Sequence, residues 1–137
     1  MKVFIDTNVW VASYTSQGLC REFLLYVRQR HRAVLSEQVL EEYTRILIKK
    51  MGLDPEKVRA TALDLRGHLQ VLPSPSKPLE RTLDPKDDAI LQAALDGDCD
   101  WLVSGDKDLT SLKRVKGMPI NTPRDFMEIL GVEEEYI

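Results

Sequence analysis

Short apolar runs alternate with longer amphipathic stretches along this 137-residue chain. Apolar runs rich in β-branched residues, bounded by polar residues, predict strands. The predicted strands cover residues 2–5, 33–35, 69–72, 101–103 and 119–120. Because parallel strands need crossover connections, which are usually helices, this alternation predicts an α/β fold. We expect a three-layer α/β/α sandwich around a central parallel sheet of about five strands.

Capping residues mark where the predicted helices begin. Ser36 is a suitable N-cap, and Asp84 precedes a proline, which is favoured in the first turn of a helix. The predicted helices cover residues 18–30, 36–50, 84–95 and 122–130, with others from residue 54 and near residues 109–112. The segment Asp6-Thr7-Asn8 predicts a polar turn, and the proline-rich residues 73–78 predict a loop.

The length of the chain predicts one domain over residues 1–131, followed by a short acidic tail over residues 132–137. No apolar run approaches the ~20 residues that a membrane-spanning helix needs. The apolar stretch near the N-terminus is also too short for a signal peptide. We therefore expect a cytoplasmic protein.

Two acidic residues come directly after predicted strands. Asp6 follows the first strand, and Asp106 follows the fourth, with Asp108 close behind. In open parallel sheets, ligands bind outside the carboxyl ends of the strands, where the strand order reverses. Each acid could instead be a turn or capping residue, because Asp side chains accept hydrogen bonds from nearby backbone amides. Their position after strands favours a shared site.

Two more candidate acids lie on predicted helices. At 3.6 residues per turn, Glu42 borders the apolar stripe of its helix, whereas Glu41 lies nearly opposite that stripe. On the next acidic helix, Asp84 is accounted for as the N-cap, and Asp87 in part as its first-turn partner. Asp88 is left without a structural role and is the candidate of this segment.

Converging carboxylates need a counter-charge. Two unit charges ~4 Å apart repel by roughly 4 kcal/mol at an effective dielectric constant near 20. A divalent cation would relieve that repulsion. Cys20 and Cys99 are not in a metal-binding spacing and the chain has two histidines, so oxygen ligands favour one or two Mg²⁺ or Mn²⁺ ions over Zn²⁺. Such ions activate water for phosphodiester hydrolysis.

The formal net charge of −3 gives no overall attraction for nucleic acid, so RNA or DNA binding would need a local basic patch. Arg28, Arg30 and Arg32 form the best candidate for such a patch. These arginines could also be solvated cations at the end of a helix, a position that the helix dipole favours.

Four motifs in order resemble those of PIN-domain ribonucleases, of the kind found as VapC-like toxins in prokaryotic toxin–antitoxin pairs. Phe4-Ile5-Asp6-Thr7-Asn8 resembles the opening motif, and Ser36 followed by Glu42 resembles the Ser-to-Glu helix. Asp88-Ala89-Ile90-Leu91 resembles the third motif, and the segment from Trp101 to Asp108 resembles the last. The resemblance covers nearly the whole chain.

This resemblance implies a metal-dependent endoribonuclease that acts on RNA, forms homodimers and, in toxin members, pairs with a small antitoxin protein. The implied catalytic and metal-holding residues are Asp6, Glu42, Asp88 and Asp106. The implied supporting residues are Asn8 and Ser104, through hydrogen bonds, and Asp87 or Asp108, through water. Basic side chains available for RNA contacts are Arg28, Arg30, Arg32, Lys107 and Lys113.

Other classes of protein share parts of this pattern. A receiver-type signalling domain needs an acidic pair after the first strand, where here Asp6 stands alone. A haloacid-type phosphatase needs a second Asp where Asn8 stands. The remaining alternative is a non-catalytic module that keeps the PIN fold and binds RNA or a protein. Acids dispersed over the fold would instead indicate a generic α/β domain.

Overall fold

The computed structural model describes residues 1–77 and 84–132. In that part of the chain, the strands are β1 (Lys2–Ile5), β2 (Arg32–Ser36), β3 (Gln70–Leu72), β4 (Trp101–Val103), β5 (Arg114–Val115) and β6 (Met118–Asn121). The helices are α1 (Thr7–Thr15), α2 (Leu19–Arg30), α3 (Glu37–Arg45), α4 (Pro55–His68), α5 (Pro85–Asp96), α6 (Lys107–Thr110) and α7 (Pro123–Ile129). A π-helical turn at Ile46–Lys50 continues α3. All but the first residue of the predicted acidic tail lies outside the described residues, as does Pro78 of the predicted loop.

The strands form one sheet in the order β3-β2-β1-β4-β6-β5. The first five strands in that order are parallel, and β5 pairs antiparallel with β6 at the edge. The predicted three-layer sandwich with about five parallel strands is therefore confirmed. Sequence reasoning missed β5. Lys116 and Gly117, which connect β5 to β6, have φ angles of 48° and 84°, as expected for a two-residue hairpin turn.

The strand order reverses next to β1. From β1 the chain adds β2 and β3 on one side and later adds β4 and β6 on the other side. Ile5 and Val103 are paired in register at the carboxyl ends of β1 and β4. The residues that follow them, beginning with Asp6 and Ser104, therefore meet at the point where parallel sheets bind ligands.

Helix α1 begins directly after β1, where the sequence predicted a polar turn. Asp6 is its N-cap, and the Oδ1 atom of Asp6 accepts a hydrogen bond from the Thr7 backbone N–H at 2.8 Å. Trp10 is 2% exposed, and its Nε1 donates to the Ile5 carbonyl oxygen at 2.9 Å, which fixes α1 against the end of β1. The turn prediction was wrong because an N-cap with a polar first helical turn has the composition of a turn.

The two central strands form the most buried part of the core. Val3, Phe4, Ile5, Leu102 and Val103 are all inaccessible to solvent, as expected for a parallel sheet covered on both faces. None of the helices in the described part of the chain has the length and apolar character needed to cross a membrane.

Candidate active site

A cleft of about 530 Å³ opens at the carboxyl edge of the sheet. Four separate parts of the fold contribute acids to its lining: the β1–α1 junction, α3, the start of α5 and the β4–α6 junction. The acids that line the cleft are Asp6, Glu42, Asp84, Asp87 and Asp106. The acids are therefore gathered in one place rather than dispersed over the fold.

Asp6 is held in place at the carboxyl ends of β1 and β4, where the strand order reverses. Its backbone N–H donates to the Val103 carbonyl oxygen at 2.9 Å, and its Oδ2 accepts from the Ser104 hydroxyl at 2.7 Å. The pKa of Asp6 is raised from 3.8 to about 6, mainly by burial and also by the nearby Glu42 and Asp106, while the hydrogen bonds from Ser104 and Thr7 lower it. The carboxylate is therefore well ordered, but its hydrogen bonds do not offset the cost of burying its charge.

The segment Ser104-Gly105-Asp106 is fastened to α1. The Gly105 N–H donates to Asn8 Oδ1 at 2.9 Å, and the Asp106 N–H donates to Ser104 Oγ at 2.9 Å. Asn8 Nδ2 lies 3.5 Å from the same Ser104 oxygen. A Cβ on Gly105 would lie 3.3 Å from Asn8 Oδ1, so a side chain at this position would crowd the junction. Asn8 and Ser104 therefore connect α1 to the segment after β4 through hydrogen bonds.

Glu42 reaches the cleft from α3 and is hydrogen-bonded at both carboxylate oxygens. The Thr7 hydroxyl donates to Oε2 at 2.9 Å, and Gln38 Nε2 donates to Oε1 at 3.1 Å. Glu41 is exposed and does not belong to the cleft lining, so the predicted difference between these glutamates in helix face is confirmed. Sequence reasoning missed Thr7 and Gln38, although the i, i+4 spacing of Gln38 and Glu42 was a visible signal.

On α5, Asp87 lines the cleft and Asp88 does not. Asp87 is 9% exposed and lies three residues before Ile90, which lines the same cleft. Asp88, 6% exposed, shares its side of α5 with the fully buried Leu91. The structure therefore brings Asp87, rather than the predicted Asp88, to the cleft, because one residue along a helix turns a side chain by about 100°.

The surroundings of Asp87 disfavour its charged form. Burial, together with repulsion from the carboxylates of Asp106, Asp84, Asp6 and Asp108, raises the pKa of Asp87 from 3.8 to about 7. Each of Asp87, Asp106 and Asp108 offers one carboxylate oxygen, and these atoms lie within 4.8 Å of one another. Grouped carboxylate oxygens of this kind are suitable ligands for a hard divalent cation.

A family model for the PIN domain matches residues 2–108. The chain belongs to the PIN domain family. The matched region contains β1 through the start of α6 and therefore includes every acid of the cleft. Membership of this family removes the receiver-type and haloacid-type alternatives.

Solved structures with the same fold include several prokaryotic toxins. VapBC2 from Rickettsia felis, bound to a DNA fragment from its promoter, has a TM-score of 0.65 and 18% identity, over 88% of this chain and 98% of that chain. VapC20 from Mycobacterium tuberculosis, a toxin that cleaves the sarcin–ricin loop, has a TM-score of 0.61 and 16% identity, over 85% and 99%. At these identities, the likeness shows a shared fold.

The PIN domain endonuclease Utp24 is a further structural neighbour, with a TM-score of 0.52 and 21% identity over 88% of this chain and 84% of that chain. No curated protein matches the chain by sequence.

The basic residues that the sequence of this PIN domain offered for RNA contacts lie in two places. Arg28, Arg30 and Arg32 lie at the end of α2 and the start of β2, and Arg32 pairs with Lys2 at the amino end of β1. They are therefore at the opposite edge of the sheet from the cleft. Lys107 and Lys113 are exposed beyond β4 but do not belong to the cleft lining.

Among the described residues, the cations that line the cleft are Arg45, on α3, and Lys86, on α5. Sequence reasoning missed both of them. Arg45 follows Glu42 by three residues and Lys86 precedes Asp87 by one, so proximity to the candidate acids was the available signal.

Proposed function

We propose that this PIN domain is a metal-dependent endoribonuclease that hydrolyses RNA phosphodiester bonds. The observation that carries the proposal is the convergence of Asp6, Glu42, Asp87 and Asp106 from four parts of the fold into one cleft. The nuclease neighbours of the same fold support it.

The residues that would hold Mg²⁺ or Mn²⁺ are Asp6, Glu42, Asp87 and Asp106, with Asp108 as a further ligand directly or through water. The donor set fits, because it consists of carboxylate oxygens, and burial together with repulsion from neighbouring acids raises the pKa values of Asp6 and Asp87. When bound, one or two such ions lower the pKa of the attacking water and offset the negative charge that grows on the phosphodiester oxygens.

Hydrogen bonds within the chain fix the orientation of two of the proposed metal ligands. Ser104 and the Thr7 backbone amide hold the two oxygens of Asp6, while the Thr7 hydroxyl and Gln38 hold those of Glu42. Thr7 thus connects two of the proposed ligands. Fixing ligand orientation in advance reduces the cost of assembling the site when metal and RNA bind.

The proposed biological role is that of the toxin in a toxin–antitoxin pair, acting in the cytoplasm as a homodimer. Support comes from the shared fold with VapC20 and with VapBC2. A small antitoxin protein that covers the acidic cleft would be its partner. Co-expression with the product of an adjacent small gene, followed by measurement of RNA cleavage, tests this role.

Cleavage of RNA is expected to need a divalent cation and Asp6. Purified protein should cleave single-stranded or structured RNA in Mg²⁺ or Mn²⁺, and EDTA should abolish the cleavage. Asp6→Asn should reduce the rate by at least about 100-fold, because it removes a charged ligand. Cleavage that persists in EDTA and in Asp6→Asn would contradict the proposal. RNA binding without cleavage in any metal would indicate the non-catalytic module instead.

The metal-free protein is expected to lose stability as pH rises. The pKa of Asp87 is about 7 in the fold and near 3.8 in an unfolded chain. The folded state therefore binds the proton more tightly, so its contribution to stability is complete below pH 3.8 and is lost as pH passes about 7. Asp87→Asn, which cannot ionise, should be more stable than the wild type above pH 7 in EDTA.

Urea unfolding across this pH range, in EDTA and in Mg²⁺, checks the stability prediction. The difference in free energy of unfolding between the wild type and Asp87→Asn isolates Asp87 from the other titrating groups. Mg²⁺ should stabilise the wild type more than the variant at high pH, because it binds the folded carboxylates. A difference that does not change with pH would be the contrary result.

A further inference from the structure

Two neighbouring cavities continue the acidic cleft along α3. The first, about 340 Å³, shares Gln38, Glu42, Arg45 and Lys86 with the cleft. The second, about 560 Å³, lies between α3 and α4 and shares Arg45 with both. The three cavities therefore form one surface path, with Arg45 at their junction.

Exposed cations occur along this path. Arg45 and Lys86 border the cleft, and Lys49 and Arg59 lie farther along, between α3 and α4. Among the described residues, the ion pairs are Glu37 with Arg66 and Asp64 with His68. The side chains of these four cations thus make no ion pair within the described part of the fold and are available to an anion.

The path also matches the other requirements of a single strand of nucleic acid. The Glu37 carboxylate, which would repel phosphate, is occupied by two hydrogen bonds from Arg66 at 2.7 and 2.8 Å. The exposed Glu41 lines both added cavities and is outnumbered there by the four cations. Apolar side chains are available to unstacked bases, including Leu63, which is 70% exposed. A positively charged groove is how proteins follow the phosphate backbone of a single strand without reading its sequence.

We infer that single-stranded RNA lies along this path, with phosphates bound first by Arg45 and Lys86 and then by Lys49 and Arg59. The inference rests on the proposed nuclease function and adds the direction in which the substrate leaves the cleft. The path also replaces the patch of Arg28, Arg30 and Arg32 as the proposed RNA-binding surface. That patch lies at the amino ends of the strands. Four residues of β1, at roughly 3.3 Å per residue, separate these ends from the cleft by about 13 Å.

Three double variants with the same change of charge test the path: Arg45→Gln with Lys86→Gln, Lys49→Gln with Arg59→Gln, and Arg28→Gln with Arg32→Gln. Each is made in the Asp6→Asn background, so binding of a labelled single-stranded RNA is measured by fluorescence anisotropy without cleavage. The first two should bind RNA several-fold more weakly. The slope of log affinity against log salt should become shallower by about 0.7 for each phosphate that the variant no longer binds. The third should bind like its parent.

Each outcome decides the inference. Weaker binding by the first two variants but not by the third supports it. The same pattern supports it when the wild-type protein, with Asp6 intact, fails to cleave any RNA, in which case the nuclease function fails alone. Equal weakening in all three variants, weakening confined to the third, or no RNA binding by the parent would overturn it. Selective weakening of affinity for an acidic peptide, with RNA binding unchanged, would assign the path to a protein partner and also overturn it.

Discussion

Replacing Asp87 by Asn is expected to reduce metal-dependent RNA cleavage by at least about 100-fold, whereas replacing Asp88 by Asn should leave the rate of the folded protein within a few-fold of the wild type. The two substitutions make the same chemical change on adjacent residues of α5. Only Asp87 lines the cleft and has an oxygen within 4.8 Å of oxygens from Asp106 and Asp108. Initial rates in saturating Mn²⁺ measure the difference.

Folding must be controlled in this comparison, because both side chains are buried. Thermal unfolding of each variant gives the temperature range in which it is fully folded, and rates are compared within that range. Asp88→Asn is the variant for which we expect the larger loss of thermal stability, because its side of α5 faces the core beside Leu91. If Asp88→Asn abolished cleavage while remaining folded, and Asp87→Asn stayed active, the catalytic acid of α5 would be Asp88, as the sequence motif predicted.

The parallel sheet could be predicted because its signal is local. Runs such as Val3-Phe4-Ile5 and Trp101-Leu102-Val103 are apolar over their whole length and end at a polar residue, as strands buried on both faces do. The edge strand β5 has two residues and carried no such run. Helix α1 was missed because its buried residues, which include Thr7 and Ser13, mix polar and apolar types.

The site was harder to predict because it depends on angles and on contacts between distant segments. The predicted helix face of Glu42 was confirmed, since the apolar stripe of α3 defines its two faces clearly. Helix α5 buries both Asp87 and Asp88, so the pattern of its buried residues does not show which of the two acids faces the cleft. The hydrogen bond from Thr7 to Glu42 spans 35 positions, and nothing in the local sequence predicts it.

Replacing Glu42 by Gln is expected to weaken Mn²⁺ binding by at least about tenfold and to reduce RNA cleavage with it, whereas Glu41→Gln should leave the Mn²⁺ affinity unchanged. The Gln side chain can keep both contacts, because its oxygen can accept from Gln38 and its amide can donate to the Thr7 hydroxyl oxygen. The variant therefore removes a charge from the cleft without opening a cavity. Isothermal titration with Mn²⁺ measures the affinity directly.

Thr7→Val separates the charge of Glu42 from its orientation. This substitution retains the size of the side chain but removes the hydroxyl that donates to Glu42 at 2.9 Å. If orientation contributes, Thr7→Val should weaken Mn²⁺ binding less than Glu42→Gln, and the double variant should bind no more weakly than Glu42→Gln alone. Additive effects would show that Thr7 acts on the site independently of Glu42. Equal weakening by Glu41→Gln and Glu42→Gln would show that total negative charge, rather than the cleft, determines metal affinity.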